Sequence, residues 1–259
     1  MNRGGSTSIK IIVAVGIVIF SLVKYFSSSE VNEVTGEKQY ISLTKDQEIA
    51  LGMNSAPEMA LEFGGLSQNK QAQALVQQVG KKVVENSDAK KTQYPFQFYV
   101  LADQRTVNAF ALPGGPIFIT EALLGRLQNE DQLAGVLGHE VGHVIARHSA
   151  EQMSKQQLTQ GIAGAAGVAA GDVNSAYYAQ VVANMVNMKY GREDELESDD
   201  LGVRFMIQSG YKPEALIGVM DILEEASGGS SVPEFQSTHP SPSNRRAKIQ
   251  DAIEKYKNL

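Results

Sequence analysis

The chain has 259 residues, 42% hydrophobic and 20% charged, a globular composition long enough for one large domain or two small ones. Its 23 basic and 29 acidic residues leave a net charge of −6, which argues against the basic surface of a nucleic-acid-binding protein. Cysteine is absent, so a disulfide framework, a thiolate metal site and a cysteine nucleophile are excluded, and the placement of only four histidines becomes informative.

Ile11 to Val23 is an apolar run broken by one serine. It falls short of the ~20 residues that span a bilayer, but snorkelling Lys10 and Lys24 and the Tyr25-Phe26 pair extend its usable length. Arg3 and Lys10 precede the run, and Glu30, Glu33 and Glu37 follow it. The positive-inside rule then keeps the N-terminus cytoplasmic. Residues 1–26 are therefore read as a single-pass anchor in a bacterial inner membrane, with the rest periplasmic or otherwise extracytoplasmic. The alternative is a signal sequence cleaved near Ser27 and Ser29, which would release the protein into the periplasm. Lys24, Tyr25 and Phe26 make a poor cleavage region, which favours the anchor. Residues 27–42 are polar and aperiodic and read as a tether; residues 43–259 read as one domain.

Within that domain, Thr44 caps an expected helix to about residue 62, which Pro57 should break or kink. Leu75, Val76, Val79 and Val83 share the face of a second helix. Phe96, Phe98 and Val100 alternate as in a strand, and Asn108–Leu112 and Ile117–Thr120 predict two more, joined by Leu-Pro-Gly-Gly. From Glu121 onward the pattern is helical, with Asn129 and Gln132 resembling a capping box. Gly161–Gly171 is too short to span a membrane and reads either as a small-residue helix or as part of a mobile lid over residues 155–175. Ser241-Pro242 opens the last helix, expected to reach about Lys257. The sum is an α+β, mainly α, domain with a small sheet.

The chemistry lies in Leu137-Gly-His-Glu-Val-Gly-His143. His139 and His143 are four apart on a helix, so both imidazoles can reach one metal ion. Glu140 is turned about 100° from His139, toward the space where an attacking water would lie. His148 is five residues past His143, about 140° round, and is read as a non-ligand. A third ligand is needed. The acidic run Arg192–Asp200 offers one, with Asp199 one turn beyond Glu195 and able to orient a ligand histidine, but spacing does not choose Glu195 over Glu193 or Glu197.

Three segments resemble the bacterial zinc metallopeptidases of family forty-eight, which include HtpX-type proteases and CAAX prenyl proteases. They are Asn108-Ala-Phe-Ala-Leu-Pro-Gly-Gly115, LGHEVGHVIARH from Leu137 to His148, and Glu195-Leu-Glu-Ser-Asp199, which departs from E-x-E-A-D only at Ser198. His239-Pro240 with Arg245 matches a fourth, weaker motif. The resemblance implies a gluzincin-type fold with the sheet beside the H-E-x-x-H helix. It also implies one Zn2+ per chain, held by His139, His143 and Glu195, with Glu140 as general base. It makes His239 an oxyanion donor or an extra ligand at rest. Asp199 is a proton donor in some relatives, but Glu140 suffices as the shuttle, so an orienting role is preferred. Arg245 is expected to pair with an active-site carboxylate, Asp199 among them. Asn108, Ala109, Phe110 and Ala111 resemble the strand that binds an extended peptide. The implied function is a membrane-tethered metalloendopeptidase acting on protein or peptide substrates, in quality control of misfolded envelope proteins. The rival is a metal-binding envelope chaperone or scaffold with little or no proteolysis. The multiple membrane spans of HtpX-type members are absent from this sequence.

Overall fold

The computed structural model describes residues 4–170, 190–227, 235, 238–239 and 243–259. The chain falls into two compact units, Met1–Asn32 with Gly36–Thr44 and Ala150–Met188, and Glu33–Thr35 with Lys45–Ser149 and Lys189–Leu259.

In the first unit, helix α1 (Gly4–Ser27) contains a 20-residue stretch, Ser8–Ser27, long and apolar enough to cross a membrane. Ile11, Ile12, Phe20 and Val23 are exposed along it. Residues 27–42 are more ordered than a plain tether: β1 (Ser29–Val31) and β2 (Lys38–Tyr40) pair antiparallel, Ser29 opposite Tyr40. The Tyr25 and Tyr40 rings stack at 5.0 Å, and the Ser42 N–H donates to Ser154 Oγ at 2.9 Å. Ser154 belongs to the long helix His148–Ala170, whose Gly161 leaves room for Ser21 of α1. The glycine-rich segment is thus helical as far as Ala170, and residues 171–175 lie outside the described residues.

The second unit begins with α2 (Lys45–Glu62), which continues through Pro57. Burial of Ala56, Met59 and Ala60 around the proline offsets the lost backbone bond. α3 (Lys70–Glu85) is capped by Asn69, whose Oδ1 accepts from the N–H groups of Gln71 and Ala72. It buries Val76, Val79 and Val83, whereas Leu75 points outward. Then come β3 (Gln97–Leu101), β4 (Ala109–Ala111) and β5 (Pro116–Thr120), in the spatial order β3-β5-β4. β3 runs parallel to β5, with Phe98 opposite Ile117; β4 runs antiparallel to it, with Phe110 opposite Phe118. The turn before β5 needs Gly114 and Gly115, at φ +75° and +130°.

After the single turn α4 (Glu121–Leu124) comes α5 (Glu130–Ile145), which carries the H-E-x-x-H motif. Asn129 caps it by accepting from Gln132 N–H; the reciprocal bond reaches one residue further back than a capping box requires, from Gln128 N–H to Gln132 Oε1. Every residue of α5 from Gln132 to Ile145 is buried, as befits a helix enclosed on all sides. Around it lie the sheet, α3, the start of α6 (His148–Ala170), α7 (Arg192–Gln208) and α8 (Ala215–Ser227); α9 (Arg245–Tyr256) packs on α7 and α8. Ser241 and Pro242, the expected start of α9, lie outside the described residues. The class is α+β, mainly α, with the small sheet beside the motif helix, as the sequence implies.

The crossing of α5 and α7 is set by small residues. A Cβ at Gly142 would lie 3.0 Å from the Ser198 carbonyl oxygen, and one at Gly202 would lie 3.1 Å from the His139 nitrogen. Backbone meets backbone here, so side chains of the two helices converge over a short span.

Candidate metal centre

That convergence places His139, Glu140 and His143 of α5 against Glu195 and Asp199 of α7, all at most 2% exposed. His139 Nε2 and His143 Nε2 are 3.0 Å apart, and each is 3.5 Å from an oxygen of Glu195. His239, fully buried and stacked on Phe235 with centroids 4.4 Å apart, brings its Nδ1 within 3.0 Å of Glu195 Oε1 and 3.4 Å of His139 Nε2. One ligand-type atom from each of His139, His143, Glu195 and His239 lies within 4.8 Å of all the others.

Behind this cluster, His139 Nδ1 meets Asp199 Oδ1 at 2.9 Å. Asp199 in turn accepts a forked pair from Arg245, Nε to Oδ2 at 2.6 Å and an Nη2 bond to Oδ1 at 2.9 Å. Burial works against the Asp199 charge, but Arg245 and His139 outweigh it and hold the carboxyl below the usual range. Burial also opposes a charged His139, yet Asp199 and Glu195 push that imidazole up to about 9. His143, with burial dominant, is held well below the ordinary histidine value and stays neutral.

These residues fit a divalent cation. A tetrahedral ion with ligand bonds of ~2.0–2.1 Å needs donor atoms about 3.3 Å apart; the close pairs of the cluster lie 3.0 to 3.5 Å apart, and all four ligand atoms lie within 4.8 Å of one another. The donors are imidazole nitrogens and a carboxylate, a set suited to zinc and its neighbours. The carboxylates around His139 make a pocket that favours positive charge. Glu140 stands apart from the cluster. Among the described residues neither of its oxygens has a hydrogen-bond partner, His239 Nε2 lies 3.8 Å from its Oε1, and burial raises its pKa.

The model of peptidase family M48 matches residues 70–253, well over half the chain. The chain belongs to peptidase family M48. It is therefore a metallopeptidase, a hydrolase, and its buried histidine and glutamate cluster is suited to hold a metal ion. It is 29% identical over 235 residues to the mitochondrial metalloendopeptidase OMA1 of Schizosaccharomyces pombe, covering 88% of this chain and 68% of that one. It is 31% identical over 182 residues to the beta-barrel assembly-enhancing protease of Escherichia coli, covering 66% and 37%. The metalloprotease YcaL of the same organism is 29% identical over 162 residues, 61% of each chain. The chain thus spans well under half the length of the assembly-enhancing protease.

Of the substrate strand expected in this M48 chain, Ala109–Ala111 form β4, at the edge of the sheet and packed on α5. Thr120 N–H bonds to the Asn108 carbonyl, and Leu112 N–H to that of Pro116. This register turns the N–H and C=O groups of Ala109 and Ala111 away from β5. Asn108 is buried, and among the described residues its Oδ1 has no partner. Three residues near the cluster make contacts that sequence reasoning does not find. Tyr190 stacks on the His143 ring, centroids 3.9 Å apart, with its hydroxyl bonded to Ser149 Oγ at 2.8 Å. His148, read as a non-ligand, lies outside the cluster but touches it: its Nδ1 is 2.8 Å from His143 Nδ1. Glu197 Oε2 is 3.0 Å from His148 Nε2. Only the third histidine in LGHEVGHVIARH and the density of acids in 192–200 hint at them.

Proposed function

We propose that this M48 protein is a zinc-dependent endopeptidase with residues 43–259 as its catalytic domain on the periplasmic side of a bacterial inner membrane. Residues 1–26 anchor it and residues 27–42 connect the two. Its substrates are misfolded or misassembled envelope proteins. The name of the assembly-enhancing relatives supports that setting, as does the exposed apolar stretch Ser8–Ser27.

The observation that carries the enzymatic reading is Glu140, a wholly buried carboxylate with both oxygens unpaired among the described residues, beside a ligand cluster. His139, His143 and Glu195 hold one Zn2+ in this reading. Bound there, the ion supplies Lewis acidity, polarising the scissile carbonyl and acidifying water. Glu140 takes the proton of the attacking water and delivers it to the departing amine. Its raised proton affinity suits the first step. His239 Nε2, on the Glu140 side of its ring, supplies an N–H to the developing oxyanion. Asp199 keeps the His139 proton on Nδ1, and Arg245 holds Asp199. The outward N–H and C=O groups of Ala109 and Ala111 take an extended peptide as an added strand, with Asn108 Oδ1 accepting a further N–H.

Metal analysis and casein cleavage test this reading. The purified chain is expected to hold about one zinc and to cut casein. Glu140→Gln should keep fold and metal yet lose more than ~10²-fold in hydrolysis, because an amide cannot take the proton. Cleavage by that variant at the wild-type rate would overturn the assignment.

A further inference from the structure

We infer that His148 and Glu197 are positioning residues that dictate which nitrogen of His143 carries its proton, and so set how tightly the centre holds metal. The inference rests on the metal reading above, but its own evidence is the hydrogen-bond chain.

On a helical wheel His148 points away from His143. The wheel does not apply, because α5 ends at Ile145 and Arg147 adopts the left-handed conformation at φ +57°. That reversal swings His148, the first residue of α6, back against His143. A non-glycine residue in this conformation costs roughly 1 kcal/mol. Arg147 is held there by the buried carboxylate of Glu48, whose Oε1 accepts from Nε at 2.8 Å. The fold thus maintains a strained residue at the point that delivers His148.

For a neutral His148, donor and acceptor counting gives one arrangement, in which the Ser198 hydroxyl, 3.4 Å from His148 Nδ1, is a second group able to donate to that nitrogen. A carboxylate at Glu197 is an acceptor only, so the His148 nitrogen facing it, Nε2, is the one that carries hydrogen. A neutral imidazole has one N–H, so His148 Nδ1 is an acceptor. The partner 2.8 Å away, His143 Nδ1, must therefore be the donor. That leaves the lone pair of His143 on Nε2, the nitrogen that faces His139 and Glu195. At His139 the route is shorter, since Asp199 accepts from its Nδ1 directly and leaves Nε2 as the nitrogen that faces the cluster. Each ligand histidine is thus set by a carboxylate of α7, one directly and one through a relaying imidazole. Remove the Glu197 charge and His148 can adopt the opposite tautomer, donate from Nδ1, and force the His143 proton onto Nε2, where it blocks ligation. The ring pose itself does not depend on this chain, because Tyr190 stacks on His143 from the side.

The test uses the full chain in detergent. In the metal-free wild type, long-range proton–nitrogen NMR should find His148 protonated at Nε2 and not at Nδ1, and His143 protonated at Nδ1; the reverse tautomers would overturn the inference. Zn2+ affinity is then measured by competition with a chromogenic chelator, and Co2+ is used as an absorption probe of the site. Glu197→Gln and His148→Phe should each weaken Zn2+ binding by about 10–100-fold and alter the Co2+ spectrum. His148→Gln should recover part of the loss, because its amide oxygen can accept from His143. Glu193→Gln, an exposed acid on the same helix, should change nothing. Wild-type affinity in Glu197→Gln would sink the inference, and so would an equal loss in Glu193→Gln. If His148→Phe fails to fold, Glu197→Gln decides, since its side chain is 28% exposed. Failure of the wild type to bind zinc would count against the proposed function instead, and the metal-free NMR would still judge the relay.

Discussion

Arg245 is only 2% exposed and its guanidinium forks onto Asp199, with a longer contact from Nη1 to Glu195 Oε2 at 3.4 Å. A buried ion pair of this kind adds little net stability, but removing one partner strands the other. Arg245→Ala should therefore destabilise the protein by about 3–5 kcal/mol in urea denaturation. Arg245→Lys should fare only partly better, because an ammonium cannot reproduce the fork. The double variant Arg245→Met with Asp199→Asn should be more stable than Arg245→Ala alone, since no charge is left unpaired. It should still bind zinc weakly, because a neutral amide is a poorer acceptor for the His139 proton than a carboxylate. Equal stability of the single and double variants would contradict the pairing. At this scale the sequence shows which residue types are needed, and Arg245 could be matched to an acid, but a list of carboxylates does not say which one it meets.

The metal site depends on two helices lying closer than most helices can. A methyl group added at Gly142 would come within 3.0 Å of the Ser198 oxygen and 3.1 Å of its Cα, both main-chain atoms of α7 that cannot rotate aside. Gly142→Ala gains up to ~1 kcal/mol of helix propensity and incurs roughly 1–3 kcal/mol of overpacking. The expected result is a net loss of stability together with weaker metal binding, as α7 moves Glu195 away from His143. Thermal melts and chelator competition on the same variant check both; a more stable variant with unchanged affinity would show that the crossing can relax freely. Most elements were legible because their patterns are local: the valines of α3, the alternation of β3, the Asn129 cap. The hairpin of residues 29–40 was not, since three-residue strands leave no alternation to read. Nor was the continuation of α2 through Pro57, which tertiary burial decides against local preference.

For the whole molecule, the exposed apolar face of α1 makes a definite prediction about where the protein resides. Expressed in a bacterium, the chain should remain with the membrane after carbonate washing, and protease added to spheroplasts should digest residues 43–259. A soluble product beginning near Glu30 would instead mean that α1 is removed as a signal sequence. Deleting residues 1–26 takes away three cations and no anions, leaving 20 basic against 29 acidic residues. The remainder should be markedly anionic, and α6 would lose the contact that Gly161 makes with Ser21.

The sequence by itself determined the chemistry that is local to one helix. His139, Glu140 and His143 lie within five residues, and helical geometry alone puts the two imidazoles together and the carboxylate beside them. It also determined the mainly helical class and the apolar N-terminal helix, because each is written in composition and short-range period. Tertiary structure decided what joins residues far apart in the chain. The choice of Glu195 among three nearby acids follows from the way α7 crosses α5, and His239 enters the cluster from a hundred residues beyond His139. The placement of His148 depends on a left-handed Arg147 held by Glu48. Period and propensity describe a residue's neighbours along the chain, whereas these contacts arise only when backbones pack, and that packing is settled by the whole core at once.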